Sequence, residues 1–342
     1  MTNVETTTNP TQPSGATREA EMSQPTSAAG YRASRITDTD RQRPIHLDYW
    51  YPAAPGSRET AIDYHFGVGA VAHHAPLAAG PHPLVMLSHG SMGSASNYSW
   101  IAEHLGRSGF VVAGVSHYGE SPIYGPETLD FAAATRLWER PLDVTRALDH
   151  TIAEPFFAGS LSGRVGVIGH SAGGATAIAL AGAPFTQSAV EAYCASPAAE
   201  GDLGCAYEGD GADNAQPTQA DSRIDAAVAL DPALGPGFTP SALASIDVPA
   251  LVVGATRNDF LPYHAHAGHY TAHIPGAQSV ELSDGEGHFV FLDTTDLQID
   301  VMGIGLGEDR PGIDRRAVHD RLKPIIAEFL HDKLDGPHPH RA

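Results

Sequence analysis

Lysine is nearly absent: only Lys323 and Lys333 stand among 20 cationic residues, against 40 acidic ones, for a formal net charge of −20. Phosphate recognition needs a basic patch, and no charge run supplies one, so nucleic acid is excluded as a partner. Salt adaptation and wholesale use of arginine in place of lysine would each produce such a surface. There is also no stretch of about 18 apolar residues that could span a bilayer. The first residues lack the cationic start and apolar core of a secretory signal. The expectation is a soluble, cytoplasmic protein without stable membrane insertion, its oligomeric state unreadable. Cysteine is limited to Cys194 and Cys205, which lack the spacing of a zinc or redox pair. A short-loop disulfide and two free thiols both stay open.

Large apolar side chains are nearly absent from Met1 to about Gly30, a Thr, Pro, Ser and Gln-rich stretch that cannot offset its ordering entropy. Residues 1–32 are therefore read as a disordered tail and 33–342 as one domain. The chain as a whole is 42% hydrophobic, ample for a core. "PIHLDYWYP" alternates like an antiparallel strand, and the stretch from there to Pro83 reads as irregular. Then short apolar strands alternate with helices: "PLVMLSHG", "NYSWIAEHLGRSG" with Asn97 as cap, "FVVAGVSH", "PLDVTRALDHTIAE", "RVGVIGH", "IDAAVALDP", "VPALVVGAT", "AQSVELSDGEGH" and a last helix over Asp314 to Leu334. This alternation predicts an α/β fold with a mostly parallel central sheet and helices on both faces. Functional residues in such sheets follow the carboxyl ends of strands.

"GHSAG" falls where a strand gives way to a small-residue helix. A serine hydroxyl is a weak nucleophile unless exposed on a tight turn, next to a base and to backbone N–H donors. Gly169 and Gly173 meet the crowding of that turn, so Ser171 is the candidate nucleophile. The N–H of Ala172 and the N–H of Ser91, in the loop after "PLVMLSH", are the candidate oxyanion donors. His288, in a Gly-rich loop after the last strand, is the candidate base. For the acid, Asp259 in "GATRNDFLP" is the first choice and Asp231 in "VALDP" the alternate, since both loops leave the same edge of the sheet.

These segments together resemble the α/β-hydrolases, and within them the bacterial predicted dienelactone hydrolase group related to platelet-activating-factor acetylhydrolases, over about Arg43 to Leu334. The resemblance implies a serine carboxylic-ester hydrolase working through an acyl-enzyme on Ser171, with short to medium acyl chains and no metal or cofactor. A lipase, a polyester hydrolase or a catalytically silent binding protein would carry the same fold. The chain departs from true dienelactone hydrolases in having serine where they have cysteine, and the acetylhydrolases place their acid where Asp231 stands. The substrate is expected to be a small-molecule or lipid ester. Insertions over roughly 117–139 and 184–223 should form a cap, with Tyr118, Tyr124, Phe131 and Trp138 able either to line an acyl pocket or to pack the cap down.

Other signals are set aside. Of His264, His266, His269 and His273, the last two share a helix face at metal-ligand spacing, but no nearby Cys or carboxylate completes a set, and the segment is read as a solvated helix face. "GIGLG" over Gly303 to Gly307 is read as a loop, and the acidic "EGDGADNAQPTQAD" as a mobile insertion.

Overall fold

The computed structural model describes residues 27–206 and 220–336. Most of the expected tail and most of the acidic insertion lie outside the described residues. The strands and helices run β1 (Ala29–Asp38), β2 (Arg43–Pro52), β3 (Thr60–Asp63), β4 (Val68–His73), β5 (His82–Ser88), α1 (Ser99–Arg107), β6 (Val111–Ser116), α2 (Glu139–Ala153), β7 (Leu161–His170) and α3 (Ala172–Leu180). They continue with α4 (Gln187–Cys194), β8 (Ile224–Leu230), α5 (Pro240–Leu243), β9 (Ala250–Ala255), α6 (Ala267–His273), β10 (Gln278–Leu282), β11 (Asp300–Val301), β12 (Ile304–Gly305) and α7 (Arg315–Leu334).

Ten strands form one sheet in the order β10-β9-β8-β7-β5-β6-β2-β1-β4-β3. From β10 to β6 every neighbouring pair is parallel. β2 joins antiparallel to β6 and carries β1 antiparallel beyond it. The parallel strands are apolar along their length because both faces are covered. α1 and α7 bury Ile101, Leu105, Leu322 and Ile326 against one face. α2, α3 and α6 bury Val144, Leu148, Ile178 and Tyr270 against the other. The Ala and Gly residues of α3 let it lie close: at Gly174 a Cβ would come within 2.9 Å of Pro232.

Four expectations need correction. The tail ends before residue 32, because Ala29–Asp38 pairs along its whole length with β2. The stretch read as irregular holds β3 and β4, a short hairpin at the sheet edge whose strands bury only Val71 and Ala72 and so give little apolar pattern. Asn97 does not cap α1; its side chain accepts the Ser94 N–H of the preceding single turn. "GIGLG" contributes β12 to a two-stranded hairpin with β11. The cysteine alternatives resolve to a Cys194–Cys205 disulfide.

Candidate active site

The loops that follow β5, β7, β8 and β10 meet at one end of the sheet. β7 delivers Ser171 at φ 56° and ψ −121°, a left-handed conformation that is strained for a residue with a Cβ. Crowding explains the flanking glycines. A Cβ at Gly169 would stand 2.1 Å from the Gly173 carbonyl oxygen, and one at Gly173 would stand 2.0 Å from that of Ser88. The Ser171 N–H donates to Leu230 O at 3.0 Å, which pins the turn to the end of β8.

The next residue after β8 is Asp231. Its carboxylate accepts from His288 Nδ1 at 2.6 Å, and His288 Nε2 lies 3.0 Å from Ser171 Oγ. A carboxylate only accepts, so the imidazole proton sits on Nδ1 and Nε2 is left to accept the serine hydroxyl proton. All three residues are buried. The His288 ring is stacked on Phe260, centroids 5.1 Å apart. Burial drives the His288 pKa well below its usual value, which keeps the ring neutral and able to take a proton. Burial pushes Asp231 upward, against donors that favour its charged form: the Ala255 N–H and the Asn258 side-chain amide.

This corrects the first choice of acid. Asp259 does not reach the imidazole; its carboxylate accepts the backbone N–H of His288 at 2.9 Å and lies 3.7 Å from Arg310. Asp231, the alternate, faces the ring.

Ala172 opens α3, so its N–H belongs to the first turn, whose donors have no partner within the helix. Ser91 lies in the loop after β5, which packs directly on the serine turn: a Cβ at Gly90 would be 3.3 Å from Ser171 Cβ. That loop is held from beneath by a buried polar cluster. Arg140 donates to His89 O at 2.6 Å and forms a two-pronged pair with Glu120. The N–H of His117 donates to His89 Nε2, while the His117 ring bridges Ser88 and Asp143. Burial acts to raise the Asp143 pKa, yet His117, Arg43 and Arg41 hold it at about 2.

Of the expected pocket residues, Tyr124 is a packing residue. Its hydroxyl accepts the His46 N–H and donates to Ser116 O, both at 2.6 Å, fastening the segment after β6 to the sheet. Tyr118 meets the Tyr124 ring edge-on. Phe131 is 70% exposed, and Trp138 is half-buried just before α2. The histidine-rich segment is less solvated than expected. His266 is buried and bonded to Asp202 at 2.7 Å, and His269 donates to Phe238 O.

His170, Asp231 and His288 hold their ring nitrogens and carboxylate oxygen within 4.8 Å of one another, dense enough to suggest a metal. Every one of those nitrogens is already engaged by a hydrogen-bond partner. The arrangement suits proton transfer. Sequence reasoning missed Asn258, Arg140, Glu120, Tyr98 and His170. Only His170 carried a signal, as the residue between Gly169 and Ser171.

A family model described as Chlorophyllase matches residues 69–193, a span that includes Ser91, Ser171 and Ala172. No curated protein matches the chain. Among solved structures, a ferulic acid esterase from Streptomyces cinnamoneus superposes with a TM-score of 0.60 at 21% identity, covering 94% of this chain and 96% of that one. No helix among the described residues is long and apolar enough to cross a membrane. The mostly parallel sheet, the strained serine turn after β7 and this structural likeness together give the chain the α/β-hydrolase fold.

Proposed function

We propose that the chain is a serine carboxylic-ester hydrolase that works through an acyl-enzyme on Ser171. The observation that carries this reading is the unbroken line Ser171–His288–Asp231, with distances of 3.0 and 2.6 Å, beside the N–H of Ala172. Ser171 Oγ attacks the ester carbonyl carbon while His288 Nε2 takes its proton. The oxyanion is held by the N–H groups of Ala172 and Ser91, and Asp231 balances the imidazolium. Collapse breaks the ester C–O bond, and His288 returns the proton to the departing alcohol. Water then releases the acid by the same steps.

The likeness to a ferulic acid esterase and the Chlorophyllase match support an ester as the bond cleaved. The position of Asp231 agrees with the acetylhydrolase side of the dienelactone hydrolase group. The reading takes the acyl chain as short to medium, as the resemblance to the dienelactone hydrolase group implies.

Hydrolysis of p-nitrophenyl esters from acetate to palmitate, with Ser171→Ala as the blank, tests this. A Ser171-dependent rate peaking at short chains is expected, together with fluorophosphonate labelling lost in Ser171→Ala. Absence of both in the wild-type chain would overturn the reading. A peak at long chains would replace the short-acyl substrate with a lipid or polymer ester.

A further inference from the structure

Three loops must hold their relative positions for the chemistry above: the one carrying Ser91, the turn carrying Ser171 and the one carrying His288. A continuous chain of buried hydrogen bonds runs through Gly90 and His170, beside the first two, and ends on His288 itself. The Gly90 N–H donates to Tyr98 Oη at 3.0 Å. Tyr98 Oη lies 2.9 Å from His170 Nδ1, and His170 Nε2 lies 3.0 Å from His288 O.

Counting protons fixes the direction of this chain. Its first member, an amide N–H, can only donate, and its last, a carbonyl, can only accept. A neutral imidazole has one N–H, so His170 must carry it on Nε2 and accept at Nδ1 from the tyrosine hydroxyl. The alternative needs a doubly protonated ring. Tyr98 and His170 are each 2% exposed, which makes that charge very costly. Burial accordingly drives the His170 pKa far down. The His170 ring also packs on those of His288, at 4.6 Å, and Phe291, at 5.4 Å.

Gly90 precedes the Ser91 donor, His170 precedes the nucleophile, and His288 is the base itself. We propose that Tyr98 and His170 are positioning residues, a one-directional brace that fixes the oxyanion loop and the base relative to Ser171. The proposal rests on the serine-hydrolase reading. Neither residue touches substrate. Their effect comes through the placement of Ser91 N–H and His288, which matters most in the transition state and little for ground-state binding.

The test is a double-mutant cycle with Tyr98→Phe and His170→Ala, read as kcat and KM on p-nitrophenyl acetate beside the melting temperature. Tyr98→Phe keeps the ring and removes only the hydroxyl. A displacement of the loop on the order of 1 Å corresponds to about a 10- to 100-fold fall in kcat, with KM within about two-fold. Because the brace acts as one unit, the double variant should be no slower than the slower single. A well-folded Tyr98→Phe with wild-type kcat, or losses that multiply, would overturn the brace alone. If Tyr98→Phe does not fold, His170→Gln, which keeps an N–H able to reach His288 O, should recover more activity than His170→Ala; equal activity in the two would overturn it. Lack of any Ser171-dependent turnover in the wild type would overturn the function reading and the brace with it.

Discussion

Replacing Asp231 by asparagine should cost far more activity than the same change at Asp259. Asp231 holds the His288 Nδ1–H at 2.6 Å between two groups that are each 2% exposed, where water cannot substitute. The imidazolium that forms as Ser171 attacks would lose its counter-charge. A hydrogen bond to a charged group contributes about 1.5–3 kcal/mol, or roughly 10- to 150-fold. Asparagine can also turn its amide NH2 toward Nδ1 and force the proton onto Nε2, where it blocks the serine. The same substitution in the chymotrypsin-type triad, a different fold, costs about 10⁴-fold. Asp231→Asn should therefore lower kcat by about 10²- to 10⁴-fold with KM little changed. Asp259→Asn keeps an oxygen to accept the His288 backbone N–H, at a site with 21% side-chain exposure, and should cost about 10-fold at most. The assay is steady-state hydrolysis of p-nitrophenyl acetate, with Ser171→Ala as background and circular dichroism to verify folding. A folded Asp259→Asn variant that loses as much kcat as Asp231→Asn would refute the assignment of the acid.

Ser171→Gly should melt above Ser171→Ala, both inactive, because glycine relieves the φ 56° strain, worth about 1–2 kcal/mol; equal melting would argue against a strained turn. Since burial holds His288 below its ordinary pKa, the acid limb of the kcat/KM profile should lie below pH 6.5; a limb above pH 7 would contradict this. His319, stacked on Trp100 and bonded to Val290 O, is held at about pKa 3 by burial. Between pH 3 and 6.5 the unfolded chain therefore binds more protons than the folded one at this site, so this contribution is complete above about pH 6.5. It falls by about 1.4 kcal/mol per pH unit on acidification, and His319→Phe should flatten the slope measured by denaturant titration. Thiol titration of the unfolded chain should find no free cysteine before reduction and two after it, given the Cys194–Cys205 bond; two at the outset would refute that bond.

The order of strands and helices was legible because each parallel strand is apolar along its length and each helix ends at a recognisable stop such as Gly109. Ser171 was legible for a local reason: the constraints that make its turn, glycine two residues either side, are written in contiguous residues. The placing of His288 beside Ser171 was legible from its position in chain order. β3 and β4 were not, because an edge hairpin with few buried side chains leaves almost no apolar alternation.

Which carboxylate faces the His288 ring could not be read from the chain. Asp231 and Asp259 leave neighbouring parallel strands, β8 and β9, and local sequence ranks them by loop shape alone. The tertiary structure separates them: Asp231 turns at φ 40°, next to the strand that anchors Ser171, while Asp259 sits farther along and meets only the backbone of His288. Tyr98, Arg140 and Glu120 were hidden, since the bonds that place them, Tyr98 to His170, Arg140 to His89 and Arg140 to Glu120, join residues 20 to 72 positions apart. Sequence by itself determined the serine turn and the parallel strands of the sheet, whose signals repeat over a few residues. Which carboxylate faces the imidazole, and which groups hold the loops in place, depended on packing between distant segments.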